Sequence, residues 1–369
     1  MTVRRQLINF GDSSCDFRIS AGAFNELPRM LRGAVGRPKR AVIVTEDALA
    51  PELGVTVSRA LVDAGFRVDD LSLPSGERIA TVAYAAQLYD ALDRCAITGD
   101  DLIVALGGAE VCSLVTFCAQ SWCGRTASVL LPTTLDAMAT VATSMVALDT
   151  SSSPEMVSVP ARPSMTVCDL DLVMGDPLEQ NGLGYVTIAA AHLAESRKYW
   201  NEFAALAPNL PAGGEITFID ALCNTQTSRL NSVKSSMPSV RSALQFGQVT
   251  AHALRSCLGE GIPWYRLLAE GMRFEARMAV DAMGFSVDEV FALDDRLEEL
   301  GVDEPAFSLD VTRFVTALRE SRLKRTNRFM FPLPKCPGTI RLAVVEDEVL
   351  ERHAEAYLAS RAELLDEDA

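Results

Sequence analysis

The chain has 369 residues, too many for one ordinary hydrophobic core, so two domains are expected. Hydrophobic residues make up 49% of the chain and charged residues 22%, proportions that exclude an intrinsically disordered protein. The net charge of −15 would repel a phosphate backbone, so nucleic acid is not expected as a partner.

The nine cysteines are scattered, odd in number, and form no C-x-x-C pair. This pattern argues against a disulfide framework and against a cysteine zinc site, so reduced thiols are expected. No apolar run approaches the length needed to cross a bilayer, and the first residues lack a signal-peptide core. The sequence therefore predicts a cytoplasmic protein with no membrane partner.

Strand and helix patterns alternate through the first 175 residues. Strands are predicted as a pair within residues 6–20, and then at 40–45, 67–73, 102–106, 128–131 and 165–173. Helices are predicted at 23–31, 53–64, 81–94, 111–123 and 135–145, and a Ser- and Pro-rich loop at 149–163. This alternation predicts a parallel, Rossmann-like sheet.

After about residue 175 the pattern becomes helical. Helical periodicity occurs at residues 183–207, 215–232, 238–258, 263–283, 286–298, 309–323 and 346–365, with one short strand or extended segment at 340–344. The predicted fold is an α/β N-terminal Rossmann-like domain over residues 1–175 plus an all-α C-terminal domain over residues 176–369. A ligand cleft is expected between the two domains.

The most informative stretch is residues 101–113, a buried strand followed by Gly107 and Gly108 and then a helix. Glycines let backbone N–H groups approach a ligand closely, and a helix start favours negative charge, so this turn could hold a phosphate. The alternative is a plain packing turn. Glu46, Thr133 and Thr134 also follow predicted strands, at the sheet edge where open α/β sheets bind ligands. The two threonines could instead cap the next helix.

Four segments carry a resemblance to a known family: PSGE at 74–77, DDLIVALGG at 100–108, PTTL at 132–135 and LQFGQVTAHA at 244–253. With the element order, they resemble the dehydroquinate synthase family of sugar-phosphate cyclases. The resemblance runs from about residue 40 to residue 334 and is stronger in the first domain. It implies a dehydroquinate synthase-like fold, a homodimer, NAD bound in the N-terminal domain, and a divalent metal, usually zinc, in the cleft. Family members convert a seven-carbon sugar phosphate into a carbocycle.

The resemblance also implies roles for individual residues. The positions implied to bind a nucleotide cofactor are Glu46, Glu77, Gly107, Gly108, Thr133 and Thr134, with Glu46 reaching a ribose hydroxyl. Arg241 and His252 align with family positions near the substrate phosphate, so a small phosphate or nucleotide ligand is the implied partner. Three alternatives remain open. Glu77 could simply begin a helix, Arg241 could form a surface ion pair, and His252 could be a core histidine.

The family's metal ligands do not carry over. These ligands are one Glu, in a segment of the type G-L-A-E-V-I-K, and two His, in L-N-F-G-H-T-x-G-H-A and H-G-E-A. The aligned residues here are Tyr185, Gln248 and Trp264, and the whole chain has only three histidines. A phenol, an amide and an indole do not replace a carboxylate and two imidazoles, so zinc is not expected.

Other family positions are also changed. The lysine of G-G-K-T-G-V-N becomes Val146, the aspartate of the preceding D-S-S becomes Thr140, and the aspartate of G-G-G-x-x-G-D becomes Ser113. The R-G pair becomes Gly124-Arg125, where Arg125 could serve after a one-residue shift. The D-K-K motif falls on residues 321–323.

These losses favour a degenerate family member: a pseudoenzyme, or a nucleotide- or metabolite-binding homologue without zinc-dependent cyclase activity. The alternative is an active 3-dehydroquinate synthase of the shikimate pathway, or another sugar-phosphate cyclase of the lyase class, with a rebuilt site. A metal-dependent polyol dehydrogenase is a third hypothesis. It also requires an Asp and several His in the helical domain, which makes it the weakest of the three.

Overall fold

The computed structural model describes residues 3–32, 39–321 and 328–367. The chain divides into two compact units. The first comprises Met1–Met174 and Phe218–Val233, and the second comprises Gly175–Thr217 and Lys234–Ala369. One division falls between Met174 and Gly175, whereas Phe218–Val233, which the sequence suggested for the second domain, belongs to the first unit. Within the described ranges, no helix is both long and apolar enough to cross a membrane.

The first unit is built on a seven-stranded sheet. The described strands of this unit are β1 (Arg4–Asn9), β2 (Ser14–Ser20), β3 (Arg40–Glu46), β4 (Arg67–Leu73), β5 (Leu102–Gly107), β6 (Ala127–Pro132), β7 (Met145–Leu148), β8 (Val157–Pro160) and β9 (Met165–Asp169). The sheet order is β1-β2-β9-β6-β5-β3-β4, and β7 pairs with β8 in a separate two-stranded sheet. All neighbours in the large sheet are parallel except β1, which runs antiparallel to β2. The predicted Rossmann-like parallel sheet is confirmed.

Helices cover both faces of this sheet. They are α1 (Leu27–Arg32), α2 (Val55–Ala64), α3 (Val82–Arg94), α4 (Ala109–Ser121) and α5 (Leu135–Thr140). Val42 and Val44 of β3 pack in the core cluster that includes α3 and α4, while Ala41 and Ile43 pack in the cluster that includes α1 and α2. Because successive side chains point to opposite faces, a strand covered on both sides must be apolar throughout.

The segment after β6 differs from the sequence prediction in two places. The helix predicted over 135–145 ends at Thr140, and residues Met145–Leu148 form β7 instead. The predicted loop 149–163 contains β8, which pairs antiparallel with β7 from Met145↔Pro160 to Leu148↔Val157. Two four-residue strands are too short to show a period of their own, so their pairing partner decides their conformation.

A helix from the second half of the chain, α8 (Glu215–Lys234), completes the first unit through buried polar contacts. The Gln226 side-chain amide donates to the carbonyls of Met138 and Ala139, each at 3.0 Å, and its oxygen accepts from the Thr143 hydroxyl at 2.7 Å. The Arg229 Nε donates to the Thr143 carbonyl at 3.0 Å. These side chains satisfy backbone carbonyls at the end of α5, which explains why this helix belongs to the first unit.

The second unit is helical, as predicted. Its helices are α6 (Leu178–Glu195), α7 (Arg197–Leu206), α9 (Pro238–Arg241), α10 (Gln248–Leu258), α11 (Trp264–Met283), α12 (Val287–Glu299), α13 (Val311–Glu320) and α14 (Asp347–Glu367). It also contains an antiparallel hairpin of β10 (Phe331–Cys336) and β11 (Thr339–Ala343). The sequence indicated only the second strand, because Pro332 and Pro334 argue against a strand at the first.

A buried ionic cluster joins α14 to α11. The fully buried Glu270 carboxylate accepts from Arg273 at 2.9 Å, from Arg361 at 2.6 Å and from the Tyr357 hydroxyl at 2.7 Å. Arg361 also pairs with Glu304. Because removing one partner would leave a buried charge unpaired, this cluster holds the last helix in one position on α11.

Candidate functional site

Parallel pairing brings several predicted site residues to one edge of the first unit. Strands β3, β5 and β6 are neighbours, so Glu46, Gly107 and Thr133 all lie at their carboxyl ends. The backbone N–H of Thr133 donates to the Gly107 carbonyl at 3.0 Å. This is the edge at which open α/β sheets bind ligands.

The two glycines of the turn differ in what they require. A Cβ atom on Gly107 would lie 3.0 Å from Cγ2 of Val111, and its φ of +157° is one that L side chains rarely adopt, so close packing against α4 favours a glycine there. A Cβ on Gly108 would lie 3.9 Å from the Thr134 Oγ1, an ordinary contact. Packing therefore explains the glycine at position 107. At Gly108 the contact is ordinary, so the close approach of a ligand to its backbone stays a prediction.

Thr134 occupies the N-cap position of α5, but its side chain makes no capping hydrogen bond. Its backbone carbonyl accepts from Met138 N–H at 2.9 Å. Burial raises the pKa of the neighbouring Asp136, and a hydrogen bond from Thr134 opposes that rise. The capping alternative is therefore wrong for the Thr134 side chain.

Glu77 lies in the turn before α3 and is exposed. Its carboxylate accepts from the Tyr84 hydroxyl at 2.9 Å. Helix α3 is capped by Thr81, whose hydroxyl accepts from Tyr84 N–H at 3.1 Å. The alternative in which Glu77 begins the helix is therefore wrong. Glu77 lies before α3 and accepts a hydrogen bond from Tyr84 of that helix.

A carboxylate that sequence reasoning missed lies in the first turn of α4. Glu110 Oε2 accepts the Ala80 N–H at 2.8 Å, and Oε1 lies 3.9 Å from the Arg78 Nε. Arg78 also pairs with Asp149 at 2.6 Å. The pKa of Glu46 is raised, first by burial and then by the charge of Glu110. Glu110 occupies a variable position of the family motif, so the only sequence signal is an acidic residue two positions after Gly108.

A cavity of about 190 Å³ opens beside Glu110. Its lining includes Ser113 and Thr140, which align with two family aspartates, together with Ser144 and Asp149. Val146, aligned with the family lysine, is 1% exposed and points into the core rather than lining this cavity. The structure therefore brings the changed family positions together, but with hydroxyl groups where the family has carboxylates.

Arg241 and His252 both lie in the second unit. Arg241 is the last residue of α9 and is half-buried, and in the described ranges it has no ion pair. His252 lies on α10 and is exposed, with its ring centroid 4.8 Å from that of Trp264. The core histidine considered from the sequence is therefore wrong, whereas the surface ion pair of Arg241 is tested only among the described residues.

The residues aligned with the zinc ligands come from three helices of the second unit, where α11 packs against both α6 and α10. Tyr185 lies within α6, Gln248 begins α10 and Trp264 begins α11. Burial raises the pKa of Tyr185, so its phenol stays protonated. An indole N–H only donates hydrogen bonds, and an amide oxygen is a poor zinc ligand. This donor set does not fit zinc. Across the described residues, no three His, Cys, Asp or Glu side chains cluster as a metal site.

Two further aligned segments contribute little. The exposed Arg125 guanidinium donates to the Arg162 carbonyl at 3.4 Å. Of the segment aligned with D-K-K, Arg322 and Leu323 lie outside the described residues.

Sequence similarity connects this chain with 3-dehydroquinate synthases. Residues 70–181 match the model of the 3-dehydroquinate synthase N-terminal domain. The 3-dehydroquinate synthase of Thermobifida fusca is 31% identical over 198 residues, covering 53% of this chain and 52% of the relative. That of Synechococcus sp. strain CC9605 is 23% identical over 331 residues, covering 87% and 89%.

A solved structure shares the fold over nearly the whole chain. A 2-deoxy-scyllo-inosose synthase, complexed with carbaglucose-6-phosphate, NAD+ and Co2+, superposes with a TM-score of 0.81 at 17% identity. The match covers 96% of this chain and 100% of that one. Taken together, the matched N-terminal domain and the sequence relatives show that the chain is similar to 3-dehydroquinate synthases, and the residues aligned with that family's zinc ligands are Tyr185, Gln248 and Trp264.

Proposed function

We propose that the chain is a dehydroquinate synthase-like protein with a degenerate active site, a pseudoenzyme or metabolite-binding homologue without zinc-dependent cyclase activity. The observation that carries this proposal is the replacement of all three zinc ligands by Tyr185, Gln248 and Trp264. The 4% exposed Tyr185, with its raised pKa, offers a neutral phenol where the family has a carboxylate.

The remaining charges around the aligned positions support the same conclusion. The H-G-E-A segment corresponds to Trp264-Tyr265-Arg266-Leu267, so a guanidinium stands where the family has a carboxylate. The family lysine is the buried Val146. Each lost electrostatic contact typically costs about 3 kcal/mol of transition-state stabilisation. Because each 1.4 kcal/mol is about tenfold in rate, the combined changes lower turnover by many orders of magnitude.

The decisive experiment measures metal content and turnover on the purified full chain. We expect substoichiometric zinc after incubation with zinc and gel filtration. We also expect no phosphate release from the seven-carbon sugar phosphate, under conditions in which the Thermobifida fusca relative is active. His353→Gln is the control for surface metal, because His353 Nε2 lies 2.8 Å from an Asp281 carboxylate oxygen. Stoichiometric zinc that survives this substitution, together with turnover, would overturn the proposal.

An active cyclase with a rebuilt site is the second candidate. It is favoured by the cavity in the first unit, where Arg78, Glu110 and Asp149 place charged groups beside Ser113. Growth of a strain lacking dehydroquinate synthase, when supplied with this chain, would support this candidate against the degenerate one. We also propose a homodimer, as the family relationship suggests, and sedimentation equilibrium would measure it.

A further inference from the structure

The turn between β5 and α4 is where a nucleotide phosphate would meet the first unit. The family motif G-G-G-x-x-G-D corresponds here to residues 107–113, Gly-Gly-Ala-Glu-Val-Cys-Ser. Phosphates bind at such turns because the first N–H groups of the helix are unpaired and its N-terminus is positive. Glu110 places a carboxylate of the chain itself in this first turn.

The position of that carboxylate is fixed by the backbone of another segment. Its Oε2 accepts the Ala80 N–H at 2.8 Å. Ala80 is itself held, because its carbonyl accepts from Asp149 N–H at 2.8 Å. A surface glutamate would rotate away from an incoming anion, but moving Glu110 would leave the Ala80 N–H without its acceptor.

The surrounding charge is negative. Burial, and then the charge of Glu110, raises the pKa of Glu46 at the end of the neighbouring strand. Burial, and then the charges of Asp136 and Glu46, raises the pKa of Cys112. Among the described residues that line the adjacent cavity, Arg78 is the single cation, and it is shared between Glu110 and Asp149. A pyrophosphate would bring two more negative charges into this carboxylate cluster without an uncommitted cation to meet them.

The helix packing at the turn has also changed. In dinucleotide-binding turns the last glycine permits close packing of helix on strand. Here that position is Cys112, which is fully buried, with its Sγ 3.7 Å from the Gly107 carbonyl. A side chain therefore fills the space that the glycine leaves free in a dinucleotide site.

We propose that the Glu110 carboxylate, held beside this turn by the Ala80 N–H, repels the pyrophosphate of NAD, so that the first unit takes only ligands without a phosphate at α4. The NAD implied by the family relationship does not fit the residues present. This inference concerns the first unit and is separate from the loss of cyclase activity, because a chain without zinc chemistry could still bind NAD.

The test is a calorimetric titration of the full chain with NAD, in low salt, for three proteins. Glu110→Gln removes the charge but keeps the side-chain length and an oxygen for the Ala80 N–H. Asp93→Asn is the matched control, because it removes one exposed carboxylate near the end of α3, away from the carboxyl edge of the sheet. We expect no saturable NAD binding by the wild type or by Asp93→Asn, and at least tenfold tighter binding by Glu110→Gln.

Two outcomes would overturn the inference. Micromolar NAD binding by the wild type would show that the turn still holds pyrophosphate. A folded Glu110→Gln protein that binds NAD no better than Asp93→Asn would show that Glu110 is not the cause of exclusion. The wild-type titration tests the inference even if the variant does not fold. Neither result depends on zinc content or cyclase turnover, so failure here is distinguishable from failure of the proposed function.

Discussion

Glu275 provides a quantitative prediction about the second unit. It is a fully buried carboxylate on α11 that caps the neighbouring helix α10. Its Oε2 accepts the Gly247 N–H at 2.8 Å, and its Oε1 accepts from the N–H and hydroxyl of Thr250, at 3.2 and 3.0 Å. These N–H groups belong to the first turn of α10, where no intrahelical acceptor is available.

Burial dominates the ionisation of this group. It raises the pKa of Glu275 from 4.5 to about 8, although the three hydrogen bonds favour the charged form. The folded pKa is therefore above the unfolded one, and the stability contributed by protonation is complete below pH 4.5 and lost as the pH rises through about 8. Between pH 5.5 and 8.5 this loss is about 3 kcal/mol, at about 1.4 kcal/mol for each pH unit between the two pKa values.

The assay is urea unfolding at pH 5.5, 7 and 8.5, followed by tryptophan fluorescence. Two of the three tryptophans, Trp200 and Trp264, lie in the second unit. Glu275→Gln removes the ionisation, and the poorer match of its NH2 group to the donors costs about 1–3 kcal/mol at every pH. We therefore expect the wild type to lose about 3 kcal/mol more than the variant across this range.

The exposed Glu298 of α12 supplies the matched control, since Glu298→Gln removes a carboxylate of the same unit that is in contact with water. Its free energy of unfolding should follow the wild type at every pH. If the wild type and Glu275→Gln give parallel pH profiles instead, the argument from burial is refuted.

Two further substitutions test the packing. Gly271→Ala places a Cβ 1.9 Å from the Gly247 carbonyl oxygen, so we expect a loss of about 3 kcal/mol or more, whereas Gly261→Ala, in open space, should change the free energy of unfolding by less than about 0.5 kcal/mol. Similar values for the two alanine variants would contradict this. Gln226→Leu removes the donor to two α5 carbonyls and the acceptor of the Thr143 hydroxyl, and should cost about 2–4 kcal/mol in thermal unfolding. A loss below about 1 kcal/mol would show that these buried groups find other partners.

The elements predicted correctly from the sequence are those with a strong local pattern. The apolar run of β5 and the helical periodicity of α11 are each long enough to show their own period. The pairing of β7 with β8 was missed because each strand has only four residues, too few to show a period of its own. The hydrogen bond from the Thr143 hydroxyl to Gln226 likewise links residues 83 positions apart, and no local sequence pattern indicates it.

The candidate site divides in the same way. The sheet edge with Glu46, Gly107 and Thr133 was predictable, because parallel strands place their carboxyl ends together. The contact of Glu110 with the Ala80 N–H was not predictable, because it depends on the path of a separate turn.

The sequence by itself determined that the chain has a parallel α/β unit and a helical unit, and that it lacks the family's zinc donors. These conclusions depend on local periodicity and on side-chain types. The chain has only three histidines, and none of them occupies a position aligned with a zinc ligand. Only the tertiary structure decided that α8 completes the first unit, that Glu275 caps α10, and that Glu110 accepts the Ala80 N–H. Each of these depends on a hydrogen bond or a packing contact between distant residues, and such contacts exist only once the chain has folded.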